Sequence, residues 1–460
     1  MSKPANAQPV DSATPSRPTE TIRALFSEQA VRDVECIFPD ISGYPRGKLM
    51  PATSFLAGGD LRICQAIPMQ AVTGDYSYNP VFPDSDPDVR LLPDYRTVSL
   101  APWSSVPRAV AIHDCMELDG EPCLFAPRSI LKKVLASYAA LGLTPVVAPE
   151  IEFYLTAVNA DPAQPLQAPV LRGGRAEVGQ SAFSLNMLNE LAPFWNELRD
   201  ACQTLRIVTD TWIHEVGATQ YEINLLHGDA VAVADQAFLF KYAAREIALK
   251  HDLNAVFMAK PIAGSAGSSM HLHISVVDAQ GANVFSLPDG GESPRLGHFI
   301  AGLQTYAPDL MLMLAPNVNS YRRYVSGSQA PINLQWGYDN RTTGLRIPAS
   351  GPAARRVENR VAGADANPYL AIAASLAAGL KGLQEQPTPS QPHEGNGYDQ
   401  AHSLPRSMDA ALQKLQHSSA ARALFGDQFV TGYCAVKALE LESFQSEISA
   451  WERRFLLPQV

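Results

Sequence analysis

Glu150 and Glu152 stand two apart in an otherwise apolar run, APEIEFYL, at Ala148–Leu155. In a β-strand alternate side chains share a face, so Ile151, Phe153 and Leu155 point one way and both carboxylates the other. The habit recurs three times. In HEVGATQYEINLL, Glu215 precedes a Gly-containing turn, then Gln220, Glu222 and Asn224 alternate with Tyr221, Ile223 and Leu225. In GSSMHLHIS, His271, His273 and Ser275 alternate with Met270, Leu272 and Ile274, and in ARRVENRVAG, Arg356, Glu358 and Arg360 alternate with Val357, Asn359 and Val361. One such strand reads most simply as part of a sheet with a wet face. Four together, offering Glu, His and Arg but no Lys, read as a shared interior site.

Five carboxylates (Glu150, Glu152, Glu215, Glu222, Glu358) cannot converge unless cations neutralise them. Oxygen-rich ligation with one or two imidazoles suits Mg²⁺ or Mn²⁺ better than zinc. Arginines supply the counterpart: Arg323 in NSYRRYVSG, Arg341 and Arg346 in DNRTTGLRIP, and Arg356 and Arg360 in the fourth strand. Guanidinium groups make forked contacts to phosphate and carboxylate. Divalent ions opposite arginines are what phosphoryl transfer needs, because its transition state is charge-rich and its catalysis is largely positioning. No GxxxxGK[ST] is present, so a P-loop does not hold the nucleotide. The Gly/Ser-rich GSAGSS at Gly264–Ser269 is by itself only a turn signal.

The elements that must position these residues follow from patterning. The chain has 460 residues, 46% hydrophobic and 18% charged, with a net charge of −10. That size predicts more than one domain, and the charge argues against a nucleic-acid binder. Residues 1–20 are Pro/Ser-containing and lack aromatics, which predicts a disordered tail. A helix from about Thr21 then leads into a strand–turn–strand in VECIFPDISGYPRGKLMP. The turn at Asp119-Gly120 and an amphipathic helix opening at Pro127 mark a boundary, giving a first domain over 21–122 and a second over 123–460, α+β in class. YLAIAASLAAGL at Tyr369–Leu380 is too short for a membrane span and reads as a buried helix. No secretory signal follows Met1, and the six scattered cysteines read as reduced thiols; both point to the cytoplasm, with no membrane partner.

In APEIEFYL, GATQYEIN, FMAKPIAGSAGSSMHLHIS, NRTTGLRIP and RRVENRVAGADANPYLAIAASLAAGL, taken in that order, the chain resembles the glutamine synthetase superfamily over most of residues 30–440. The resemblance implies an N-terminal β-grasp domain, a catalytic domain built on a curved antiparallel sheet (a partial barrel), and a homo-oligomer of stacked rings, a dodecamer, with each active site at a subunit boundary. It further implies that Glu152, Glu215 and Glu222 bind one divalent ion and Glu150, His271 and Glu358 a second. His273 and Ser275 lie on the nucleotide side, Arg346 and Arg356 contact ATP phosphates, and Arg341 stabilises the moving phosphoryl group. Arg323 and Arg360 hold the carboxylates of L-glutamate, with Gly267 offering backbone contact. The implied reaction is a two-step ligation through γ-glutamyl phosphate to a γ-glutamyl amide.

Three departures bear on the amine. Gln329, in VSGSQAPIN, stands where glutamine-forming members carry a flap glutamate; Gln70, in IPMQAVTGD, stands roughly where they carry an aspartate; and Ala266 replaces an asparagine. A neutral amide hydrogen-bonds but contributes no full charge to hold ammonium. The expectation is therefore a larger primary amine, as in the γ-glutamylpolyamine synthetase branch: putrescine, cadaverine, spermidine or spermine. Asp75, Asp84, Asp86 and Asp88 are candidates to attract a second ammonium group. The alternatives are an ammonia-using glutamine synthetase and a non-catalytic ring-forming homologue. Tyr398 lies near a position that some members adenylylate, but its flanking residues differ.

Overall fold

The computed structural model describes residues 17–77, 84–179 and 181–460. Most of the expected tail lies outside these, as do residues 78–83 in the loop before the DSDPD segment. The first helix, Glu20–Glu28, opens where Thr19 Oγ1 accepts the Ile22 N–H, the side-chain capping that helix starts favour.

Among the described residues two sheets organise the chain. The first is built from β1 (Asp33–Pro39), β2 (Pro45–Pro51), β3 (Arg62–Cys64), β4 (Asp88–Pro93), β5 (Ser99–Leu100) and β6 (Arg108–Met116). Its order is β2-β1-β6-β4-β3, with β5 also on β6. β1 and β6 run parallel and the other pairs are antiparallel. Alternation along β1 serves two cores. Cys36 packs with Ile22, Phe26, Phe55 and Tyr95, whereas Ile37 and Ile112 join the main core of the molecule. A sheet buried on both faces needs this two-sided apolar pattern.

The second sheet comprises β7 (Leu143–Ala157), β8 (Thr209–His214), β9 (Gln220–Leu225), β10 (Gly228–Asp229), β11 (Leu253–Val256), β12 (Met270–Asp278), β13 (Trp336–Tyr338), β14 (Leu345–Ile347) and β15 (Val357–Asn359). It runs β13-β14-β15-β12-β7-β9-β8, with β10 and β11 also on β7, and it curls into a half-barrel. Ile151, Phe153, Leu155, Tyr221, Ile223, Met270, Leu272, Ile274 and Val357 are wholly buried, so the apolar half of every period-two segment faces the core. The helices Pro127–Ala139, Ala230–Lys250 and Pro368–Glu385 cover that face. The last contains the expected Tyr369–Leu380 stretch, which is buried on every side and apolar but for Ser375, while its final turn carries Lys381 and Glu385 to the surface. The fourth period-two segment forms only a three-residue strand, leaving Arg356 and Arg360 just beyond its ends.

Arg128, in the first turn of Pro127–Ala139, joins the two halves. Its guanidinium donates to Asp235 (2.9 and 2.8 Å), Asp114 (2.6 Å) and Asp94 (2.7 Å), and it is 2% exposed. The six cysteines form no disulfide, and all but Cys64 are buried. Among the described residues no helix is long and apolar enough to cross a membrane.

Candidate active site

Alternation puts the polar groups on the inner face, and cross-strand register brings them together. Glu152 lies opposite Glu222 between β7 and β9. Glu150 lies opposite His271 between β7 and β12. His273 faces Glu358 between β12 and β15, and Glu358 faces Arg346 on β14. Residues as far apart as Glu150 and His271 thus become direct neighbours.

Glu150 is the hub. Its Oε2 is 3.2 Å from His271 Nδ1 and its Oε1 is 2.7 Å from His273 Nε2. Two groups of ligand atoms lie within 4.8 Å of one another: Glu150, Glu222 and His271, and Glu150, His273 and Glu358. The resemblance instead pairs His271 with Glu150 and Glu358. Here His271 Nδ1 lies 3.9 Å from Glu358 Oε1, and His273 is the imidazole grouped with Glu358.

The five carboxylates fall into two electrostatic classes. Burial works against the charged form of Glu358, yet Arg360, His271 and His273 bring it down to about 2. Arg346 and Arg360 both bond to it, Arg346 at 2.7 Å. Glu150 is likewise desolvated, but the histidine hydrogen bonds hold it well below the ordinary carboxylate range. The other three lack that support. Burial raises Glu152. Glu215 is pushed up to about 7 by burial and then by Glu152. Glu222 is driven well above its usual value by burial and by Glu150, Glu152 and Glu215. Like charges directly opposite one another destabilise a sheet; Arg323 and Arg360 ease Glu152 from a distance, but among the described residues no Lys or Arg pairs with any of the three. That is the donor set a hard divalent ion requires.

Beside these acids lies a cavity of about 40 Å³ lined by Glu152, Glu215, Gly267, His271, Arg323, Gln329 and Arg360, among others. Sequence reasoning missed two residues that shape it. Ser269 donates its hydroxyl to Glu152 Oε1 (2.6 Å) and its N–H to Oε2 (2.9 Å). The Gln220 amide bonds Glu152 Oε2 (3.3 Å) and the Gly267 carbonyl (2.9 Å) while accepting the Gly217 N–H. Alternation puts Gln220 on the face of Glu222 and Ser269 on the face of His271, but only the register shows that both close on Glu152. Gly267 itself is sterically required: a Cβ there would stand 2.6 Å from Arg323 Cγ.

The arginines divide. Arg323 is buried with its fork on the carbonyls of Arg360, Val361 and Ala362, so three of its four terminal N–H donors are already occupied. Arg360 bonds Glu358 but leaves a buried Nε without an acceptor. Arg346 bridges Glu358 and Asp339. Arg356 donates to His273 Nδ1 at 3.1 Å and lines a second cavity, about 280 Å³, with Glu150, His273, Ser275, Asp210 and His227. Arg341 is not brought to the cluster: it is exposed on the turn before β14. Gln329 adopts a left-handed backbone (φ 63°) on an exposed loop, and Gln70 bonds Gly74 within its own loop.

Residues 125–456 match the catalytic domain of glutamine synthetase. The chain belongs to the glutamine synthetase family. It is 37% identical over 377 residues to glutamate–isopropylamine ligase from Pseudomonas sp., covering 80% of each chain. It is 39% identical over 366 residues to gamma-glutamylputrescine synthetase PuuA from Escherichia coli K12, covering 78% of this chain and 77% of the relative. Its fold matches a solved GmaS/ADP complex with a TM-score of 0.82 at 28% identity, over 95% of this chain and 99% of that one. Like the other members of the glutamine synthetase family, this protein is an ATP-dependent carbon–nitrogen ligase. The family's use of ATP and divalent metal ions agrees with an inner face on which Glu152, Glu215 and Glu222 have no ion-pair partner among the described residues.

Proposed function

We propose that this enzyme joins the γ-carboxylate of L-glutamate to a primary amine, a polyamine such as putrescine, cadaverine, spermidine or spermine, by way of γ-glutamyl phosphate. The observation that carries the choice of amine is Gln329, a neutral side chain on the cavity that also holds Glu215, Arg323 and Arg360. A bare ammonium ion needs formal negative charge around it, whereas an alkylamine is held largely by its chain and by hydrogen bonds. The putrescine and isopropylamine relatives support the same reading.

Glu150, Glu152, Glu215, Glu222, His271 and Glu358 would hold Mg²⁺ or Mn²⁺, two ions per site, which neutralise phosphate charge when bound. Arg356, with His273 and Ser275, lines the cavity assigned to ATP. Arg346 beside Glu358 reaches the same phosphates, and Arg341 reaches the transferring group once its turn moves inward. Arg323 fixes the wall of the glutamate cavity, and the free Nε of Arg360 is the donor left for a carboxylate. In the first step a γ-carboxylate oxygen bonds the terminal phosphorus and ADP leaves with the P–O bond electrons. In the second, the amine nitrogen bonds the γ-carbon and phosphate leaves; Glu215, beside Gln329, is placed to take the proton from nitrogen. Subunit rings would bring a neighbour's Gln70 loop to the site. The enzyme works in the cytoplasm.

Phosphate release from ATP, Mg²⁺ and glutamate with a panel of amines tests this reading. Turnover with at least one polyamine above that with ammonium is expected, and Gln329→Glu should move preference toward ammonium by about tenfold. Turnover with ammonium alone overturns the polyamine assignment.

A further inference from the structure

A larger cavity, about 790 Å³, lies on the far side of the catalytic sheet from the carboxylates. Its walls come from the N-terminal β1–β2 turn (Ser42–Tyr44, with Arg46), the loop Val72–Gly74, the helix Ala230–Lys250 and the segment leaving β11. The side is fixed by Phe257, which lines it and stacks on Phe153 at 5.1 Å; Phe153 points opposite to Glu152 along β7.

Four cationic side chains (Arg46, Lys241, Arg245, Lys437) and two carboxylates (Asp40, Asp365) line it. Arg46 is paired with Asp40 at 2.9 Å and Lys437 with Glu440 at 2.8 Å. The remaining two cations have no such partner. Lys241, 4% exposed, donates only to the Ala366 carbonyl at 2.9 Å. Arg245 makes no hydrogen bond or ion pair with any described residue, and its guanidinium carbon sits 4.9 Å from the Phe257 ring. Lys241 Nζ is 5.5 Å from the same ring. Two like charges share one aromatic neighbour, in a space of the size that holds small ligands; Asp365, on the same cavity, is near enough to act on Lys241 but forms an ion pair with neither cation among the described residues. Burial, and then the nearness of Arg245, bring the Lys241 ammonium down to about 7. Desolvating an unpaired guanidinium costs free energy that an oxyanion would return.

We propose that this cavity is a second ligand site, taking a small molecule that bears a carboxylate or phosphate held by Arg245 and Lys241 above Phe257. The ligand would touch both sheets' domains, since the β1–β2 turn and the loop Val72–Gly74 form its outer wall.

Calorimetric titration of the full-length protein with inorganic phosphate and, separately, succinate tests the assignment. Saturable binding of at least one is expected, weakened about tenfold or more by Arg245→Gln while MgATP binding is retained. A response to phosphate alone assigns the phosphate class, and to succinate alone the carboxylate class. Arg245→Lys keeps the charge and loses the fork, so it gives a second reading, a smaller loss in the same direction, should the glutamine variant not fold. No saturable binding of either anion overturns the proposal, as does binding that both variants leave unchanged, which would belong to the ATP site. An oligomer mass altered by Arg245→Gln without anion binding would make the cavity a subunit contact, and also overturns it.

Discussion

Two clusters of buried charge lie within this chain, and they are built on opposite plans. Around Arg128 three aspartates converge on one guanidinium, and every formal charge has a partner within 3 Å. Asp94 and Asp114 are desolvated, yet that guanidinium and the neighbouring Arg96 and Lys132 hold both below the ordinary carboxylate range. On the inner face of the half-barrel, Glu152, Glu215 and Glu222 converge on each other, and all three are raised. A cluster neutralised from within fastens the fold together. One left short of positive charge is shaped for something that arrives from solution.

The comparison can be broken most directly at Arg128. Arg128→Met takes the one ion-pair partner from Asp235, which keeps only the Tyr369 hydroxyl, while Asp94 keeps Arg96 and Asp114 keeps Lys132; loss of one partner from such a network costs about 3–5 kcal/mol. Urea unfolding should show that loss, with specific activity per folded molecule retained. An unchanged midpoint would mean the aspartates were never dependent on the guanidinium. Glu222→Gln should do the reverse. Activity falls on the order of a hundredfold to a thousandfold, while the metal-free protein keeps its urea midpoint or gains about 1 kcal/mol from relieved repulsion. A large stability loss there would erase the distinction between the two clusters.

The smallest effect is in pH. Glu215 rises from an ordinary 4.5 to about 7, so the native state favours its protonated form. That contribution is complete below pH 4.5 and is lost as pH climbs through 7. In EDTA the unfolding free energy should therefore fall across that window by about 1–2 kcal/mol, discounted for partial exposure. Adding Mg²⁺ should flatten or reverse the slope, because the ion selects the ionised acid. A metal-free protein equally stable at both ends of the window would argue that Glu215 is not crowded.

The sequence made the faces legible but not the contacts. Period-two alternation separated Glu150 and Glu152 from Ile151 and Phe153, and the structure keeps that separation. Alternation is local, however, and register is not: nothing in MHLHIS says that His271 will oppose Glu150 rather than Glu152. That is why the grouping of His273 with Glu358 and the grip of Ser269 on Glu152 were not visible in advance. Arg323 shows a second limit. Its residue type suits a substrate carboxylate, but three backbone carbonyls 37 to 39 residues away occupy its fork. Arg128 shows a third. In PRSILKKVL it reads as an ordinary first-turn arginine, because its three aspartates come from distant segments.

Strand pairing has one more implication, for how protein preparations should be judged. If β12 were to slide by a single position against β7, Met270, Leu272 and Ile274 would turn toward the acids and both imidazoles would sink into hydrocarbon. A strand paired in that way would carry neither imidazole to Glu150. Turnover per milligram therefore doubles as a census of correctly zipped molecules, and a batch that looks folded by its helical signal can still fail it.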